Sequence, residues 1–155
     1  MPTFTQGNSA RWRIFDAFAT ALESATELQG VTIKRNPTSP PNLKKGEYQV
    51  AVRWSGDALR ERKGLDDLRR FNLIVASLAQ TDQSDRDADA MHLVVSTILA
   101  QTMQTLNALT GVKEVSVREA DVTSFVEDFQ PVEGALVLSS FEVTYRQRAF
   151  QLLPA

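Results

Sequence analysis

The sequence predicts an α+β fold: two helices on one face of a single mainly antiparallel (mixed) sheet of about five strands, in the order α-β-β-β-α-β-β. Three observations lead there. Phe71–Ala79 is apolar on both of its alternating faces, with Phe71, Leu73 and Val75 on one and Ile74, Ala76 and Leu78 on the other, as suits a strand inside a sheet. Two longer segments repeat their apolar residues at helical spacing. Several shorter stretches alternate apolar and polar residues, the mark of a strand with one buried face.

The first helix is expected over residues 10–28, capped by Asn8 or Ser9 and stopped by Gly30. Phe15, Phe18, Leu22, Ala25 and Leu28 make its stripe, with Ile14 and Ala21 at the margin. Trp12 lies off the stripe, against a neighbouring loop or a subunit contact. Val31–Arg35 is a short strand. The proline-rich Asn36–Asn42, extended by Leu43–Glu47, excludes a helix or a central strand and reads as an irregular loop. In Tyr48–Trp54, Tyr48, Val50, Val52 and Trp54 alternate with Gln49, Ala51 and Arg53, so a strand with one buried face follows.

Ser55–Arg70 is the most charged part of the chain and reads as a solvated mixed-charge loop. A long hairpin turned at Lys63–Gly64, or a mobile arm, is the alternative. The functional reading is a protrusion that contacts a neighbouring subunit or lines a pore. After Phe71–Ala79, side chains in the turn Thr81–Asp85 are expected to accept helix-start amides. Asp85, Asp87 and Asp89 suit the positive end of the helix dipole. This second helix is expected over residues 85–108, with Met91, Val94, Val95, Ile98, Leu99, Met103 and Leu106 inward, Leu93 on the far side and Gly111 at its close. Val112–Glu119 is a strand with Val115 and Val117 inward. Asp121–Glu133 reads as a long connection. Its Phe125, Val126 and Phe129 either fold back on the core or form an apolar interaction patch. Ala135–Arg146 is the last strand, with Phe141, Val143 and Tyr145 on its inner side, before a loosely held tail from Gln147.

At 155 residues the chain suits one domain, 1–155, with a core of its own. The absence of cysteine excludes a disulfide scaffold, a thiolate metal site and a cysteine nucleophile. A formal charge of −2 supplies no bulk attraction to nucleic acid or anionic membrane. Met1–Gly7 has neither the basic nor the apolar region of a secretory leader, and no apolar run is long enough to span a membrane, so a soluble protein of the cytosolic type is expected.

Catalytic patterns are missing. The one histidine, His92, sits at the edge of the second helix's stripe and reads as a boundary residue with a local hydrogen bond. Asp85, Asp87 and Asp89 lack the glycine and the distal glutamate of a calcium loop. Asp66–Asp67 and Glu127–Asp128 are adjacent pairs, whereas acid–base chemistry needs carboxylates opposed across a substrate. No phosphate-binding glycine motif occurs. The arginines between Arg60 and Arg70 are interleaved with acids and have no aromatic platform for bases. No enzyme, metal or cofactor is expected.

Taken together, the order and pattern of elements resemble the tail terminator family (minor tail or tail completion proteins) of long-tailed bacteriophages. The likeness is carried by Arg11–Leu28, by Val31–Arg35 before its proline-rich loop, and by Tyr48–Trp54. Phe71–Ala79 with its acidic helix start, and the closing Phe141–Tyr145, complete it. The resemblance implies a structural protein of the virion tail, assembled in the bacterial host cytoplasm. It would cap the tail tube as a ring, usually of six copies, stop polymerisation and offer the head or neck a surface to join. The implied partners are further copies of itself, the tail tube protein and a head–tail connector or neck protein. DNA would only pass through, and no membrane is involved. Ring contacts are expected at sheet edges and in two segments longer than ordinary connections. One holds Arg60, Arg62, Lys63, Asp66, Asp67 and Arg69; the other holds Phe125, Glu127, Asp128 and Phe129. The rival readings are a non-enzymatic α+β adaptor for one protein partner and, further off, an enzyme or nucleic-acid binder using Arg60–Arg70.

Overall fold

The computed structural model describes residues 9–107, 112–129 and 132–148, with side chains except at 124–129 and 132–133. Five strands form one open sheet in the order β1-β2-β3-β5-β4, and two helices cover one of its faces. The expected class and element order are therefore the observed ones. β3 (Asp66–Ala79) lies at the centre between β2 (Tyr48–Lys63) and β5 (Val132–Arg148), which explains why both of its faces are apolar. β1 (Thr32–Arg35) runs parallel to β2, and β4 (Lys113–Phe129) runs antiparallel to β5 at the other edge.

Helix α1 (Ala10–Ser24) starts at Ser9, whose hydroxyl accepts the Trp12 amide at 3.1 Å. A 3-10 turn, Thr26–Leu28, follows, and Gly30 reverses the chain at φ +87°. The α1 stripe is centred on Ile14, Phe15, Phe18, Ala19 and Leu22, so Ile14 belongs to its middle rather than its margin. Trp12 tilts against Phe15 of its own helix and stays half-exposed. Helix α2 (Ser84–Leu106) buries Met91, His92, Val95, Ile98, Leu99 and Leu106, and leaves Leu93 in solvent as its spacing implied. Its start differs from expectation, because the N-cap residue, Gln83, makes no side-chain cap bond. Instead the Ser84 hydroxyl accepts the Thr81 amide, and the Thr81 hydroxyl donates to Asp87 at 2.6 Å. That bond holds the Asp87 carboxyl below its usual range.

α1 packs on β1 and β2, α2 packs on β3, β5 and β4, and the helices meet between them. Phe15, Phe18, Phe71, Leu73, Leu99, Val143 and Tyr145 are fully or almost fully buried in this layer. The proline-rich loop crosses the opposite face, where Leu43 packs on Leu78 and Leu136.

Two expectations are overturned. Ser55–Arg70 is a hairpin, not a solvated loop: β2 and β3 pair down to Lys63 and Asp66, and Gly64 and Leu65 make the turn. Glycine at the first turn position, with φ +64°, supplies the conformation a two-residue hairpin needs. Likewise Asp121–Glu133 is not a long connection. Asp121–Phe129 continues β4, and β5 begins at Val132. In both places pairing with a neighbouring strand, rather than an alternating apolar face of the segment itself, holds the backbone extended. Asn8, Gly111 and the tail from residue 149 lie outside the described residues; Gln147 and Arg148 belong to β5.

Candidate functional site

Beyond the N-terminus of α1, the helix-side face of the sheet continues as a polar surface. Its construction begins with a bulge. Trp54 stands opposite Leu73 and Asp57 stands opposite Phe71, so both face the helices although alternation would separate them. The register shift lies between Ser55 and Asp57, where Gly56 adopts φ +54°. A second shift between Leu59 and Glu61 turns Arg62 onto the same face, opposite Asp67.

The Asp57 carboxylate, only 5 % exposed, is the hub of the cluster. Arg11 of α1 donates to it at 2.9 Å, Arg69 of β3 at 2.8 Å and the Tyr145 hydroxyl of β5 at 2.7 Å. One carboxylate thus ties together a helix and three strands. The adjacent Asp67 accepts two bonds from Arg62, at 2.7 and 3.2 Å, and lies 4.0 Å from Arg69. Arg11 also stacks over Trp54, 4.2 Å from the ring centre. The two carboxylates, their three arginines and Tyr145, together with Ser9 and Gln147, line a cavity of about 290 Å3.

The electrostatics follow the contacts. Arg62's hydrogen bond, ahead of its charge and that of Arg69, holds Asp67 below the usual carboxylate range. Burial, then the bond to Asp57, pushes the Tyr145 phenol well above its ordinary value. Each carboxylate is spent on arginines of this same chain. The arrangement positions groups, and it presents neither an acid–base pair opposed across a substrate nor an activated nucleophile.

No protein-family model and no curated protein matches this chain.

Of the residues singled out from sequence, Arg62, Asp67 and Arg69 belong to this cluster. Arg60, Lys63 and Asp66 are exposed at the hairpin end. Phe125, Glu127, Asp128 and Phe129 lie on β4, opposite Leu136, Gly134, Glu133 and Val132, so they are far along the sheet from the cluster; their side chains are outside the described residues. The two groups do not converge. Sequence reasoning missed Asp57, Arg11 and Tyr145 as members. Tyr145 carried one signal, since a tyrosine on an inward strand position needs a partner for its hydroxyl. Asp57 carried none, because the bulge decides its side.

His92 makes the local bonds its position suggested. Its Nε2 lies 3.1 Å from Glu119 on β4 and 3.3 Å from Ser96, and its Nδ1 lies 3.5 Å from Ser139. Ser139 is buried and bonded to the Val75 carbonyl, so the group pins α2 to the β4 side of the sheet. Among the described residues, no three metal-ligating side chains converge.

Proposed function

We propose that this chain is a non-enzymatic assembly protein of the phage tail terminator kind. It forms a ring of copies, six by the habit of the family it resembles. The ring caps the tail tube, ends its polymerisation and offers a face to the neck. The observation that supports this reading is the charged end of the β2–β3 hairpin. It is a braced extension of the sheet, fastened to α1 and β5 through Asp57, and it carries exposed Arg60, Lys63 and Asp66. A surface held rigidly before binding loses little entropy on docking.

The test is to add the purified chain to polymerising tail tube subunits and measure tube lengths by electron microscopy. Capping shortens the tubes and marks one end; an unchanged length distribution with bare ends sinks the reading. Reversing the charges of Arg60 and Lys63 together is expected to weaken capping. Arg62 has to stay intact in that experiment, because it holds Asp67.

The second reading is an adaptor for a single protein partner. It has its own observation, an apolar cavity of about 400 Å3 lined by Leu28, Val31, Tyr48, Met91 and Val94 between the α1 end and α2. Blocking it with Val94→Arg separates the two readings, since tube capping at the hairpin end is expected to survive.

A further inference from the structure

We infer that the helix-free face of the sheet, at the hairpin end, takes an acidic segment of a partner protein. Lys63, Lys113 and Arg148 hold its carboxylates, and Leu65 takes an apolar side chain beside them. The inference rests on the ring reading above for which partner this is, the end of the tail tube, and adds the chemistry that holds it.

Alternation sets the face. Along β3, Asp67, Arg69 and Phe71 turn toward the helices, so Asp66 and Leu68 stand on the other side. Register carries that side across the sheet: Lys63 and Arg148 lie opposite Asp66, and Arg146 lies opposite both Leu68 and Lys113. Here an open groove of about 590 Å3 has Leu65, Asp66, Lys113, Glu114, Arg146 and Arg148 in its walls. The proline-rich loop crosses the same face at its far end, over Leu78 and Leu136.

Charge selects the partner. Glu114 accepts a hydrogen bond from Arg146, and Glu61 lies 3.9 Å from the same guanidinium, so both acids are spent inside the chain. Further along this face Glu142 is spent likewise, 3.2 Å from Arg70 and from Arg118. Lys63, Lys113 and Arg148 are exposed and have no hydrogen-bond or ion-pair partner among the described residues. Beside them only Asp66 is an acid without a bonded partner, again among the described residues. Three free cations against one free carboxylate leave a surplus for an incoming anion.

Leu65 decides the class of anion. It is 63 % exposed at the second position of the hairpin turn. The turn requires glycine at its first position and makes no demand for leucine at the second. A nucleic-acid backbone offers that side chain nothing, and its unbroken row of phosphates meets Asp66 and Glu114. None of the described groove residues is an aromatic platform for bases. A protein segment can place separate carboxylates at the cations and an apolar side chain on Leu65. One exposed ion pair is worth little, so recognition needs the set together.

A random copolymer of glutamate and leucine samples many such segments and serves as the probe, with polyglutamate and duplex DNA beside it. Fluorescence anisotropy at low salt is expected to show the copolymer bound more tightly than either, and released as salt rises. Lys113→Glu combined with Arg148→Glu is expected to weaken that binding by about tenfold or more. Lys34→Glu, at an exposed lysine of β1, leaves it unchanged. Leu65→Ser is expected to erase the preference for the copolymer over polyglutamate. All these side chains are exposed, so the variants keep the parent's circular dichroism and urea midpoint. No copolymer binding by the parent, binding that survives Lys113→Glu with Arg148→Glu, or equal binding of DNA overturns the inference. Tubes that the parent still caps in that case leave the ring reading standing. Copolymer binding by a parent that caps no tube removes the ring reading and keeps the groove.

Discussion

Tyr145 donates its hydroxyl to the Asp57 carboxylate at 2.7 Å across 88 positions of sequence, joining two strands that are not neighbours in the sheet. β3 lies between them, and its Arg69 reaches the same carboxylate. The hairpin end is therefore fastened from three directions at one acidic residue.

Removing that residue has a larger effect than removing one of its partners. Asp57→Ala leaves Arg11 and Arg69 half-buried without their acceptor and is expected to cost about 2–4 kcal/mol, discounted from the fully buried case because both arginines keep some solvent. Tyr145→Phe loses one hydrogen bond and is expected to cost about 1 kcal/mol. Urea unfolding of both variants and of the double variant gives the coupling; a neutral Asp57→Ala refutes the hub.

Alkali tests the same contact. The Tyr145 pKa in the fold is raised above its unfolded value, by burial and then by Asp57. The folded state therefore holds that proton more tightly. This contribution is complete below the unfolded pKa, about 10, and falls as pH rises beyond it. Alkaline unfolding is expected to release one tyrosinate signal together with the loss of helix. Tyr145→Phe removes that signal and flattens the alkaline decline. Simultaneous early titration of both tyrosines at an intact circular dichroism spectrum contradicts it.

Acid tests the neighbouring pair. Asp67 has its pKa depressed by Arg62, so its contribution is present above the unfolded value of about 3.9 and is lost as pH falls through the folded one. At neutral pH, Asp67→Asn is expected to lower the urea midpoint relative to the parent, and the gap narrows at an acid pH below the unfolded value. A gap that is equal at both pH values means that the carboxylate charge is not what matters.

Gly56 is the third point of attack. An added Cβ meets nothing within 4 Å, yet φ is +54° there, so Gly56→Ala costs conformational energy alone. About 1–2 kcal/mol is expected, together with a weaker hold on Asp57. Full parental stability of Gly56→Ala would mean that the bulge is not strained.

The elements themselves were largely written in the sequence. The stripe of α1, the two-sided apolar run of Phe71–Ala79 and the alternation of Tyr48–Trp54 are local patterns, and hydrophobic burial acts on them locally. Ser55–Lys63 and Asp121–Phe129 were harder to read. Neither segment alternates apolar and polar residues regularly, and only pairing with β3 and β5 reveals them as strands.

What the sequence by itself determined is the buried face of most elements, and with it two helices on one side of a mainly antiparallel sheet of about five strands in this order along the chain. The tertiary structure alone decided which charged residues meet. The first bulge in β2 turns Asp57 toward the helix side although uninterrupted alternation from Trp54 places it elsewhere, and the second restores the phase so that Arg62 joins it there. A bulge is a property of pairing between strands, set by the register that packing selects, and no single strand's pattern contains it.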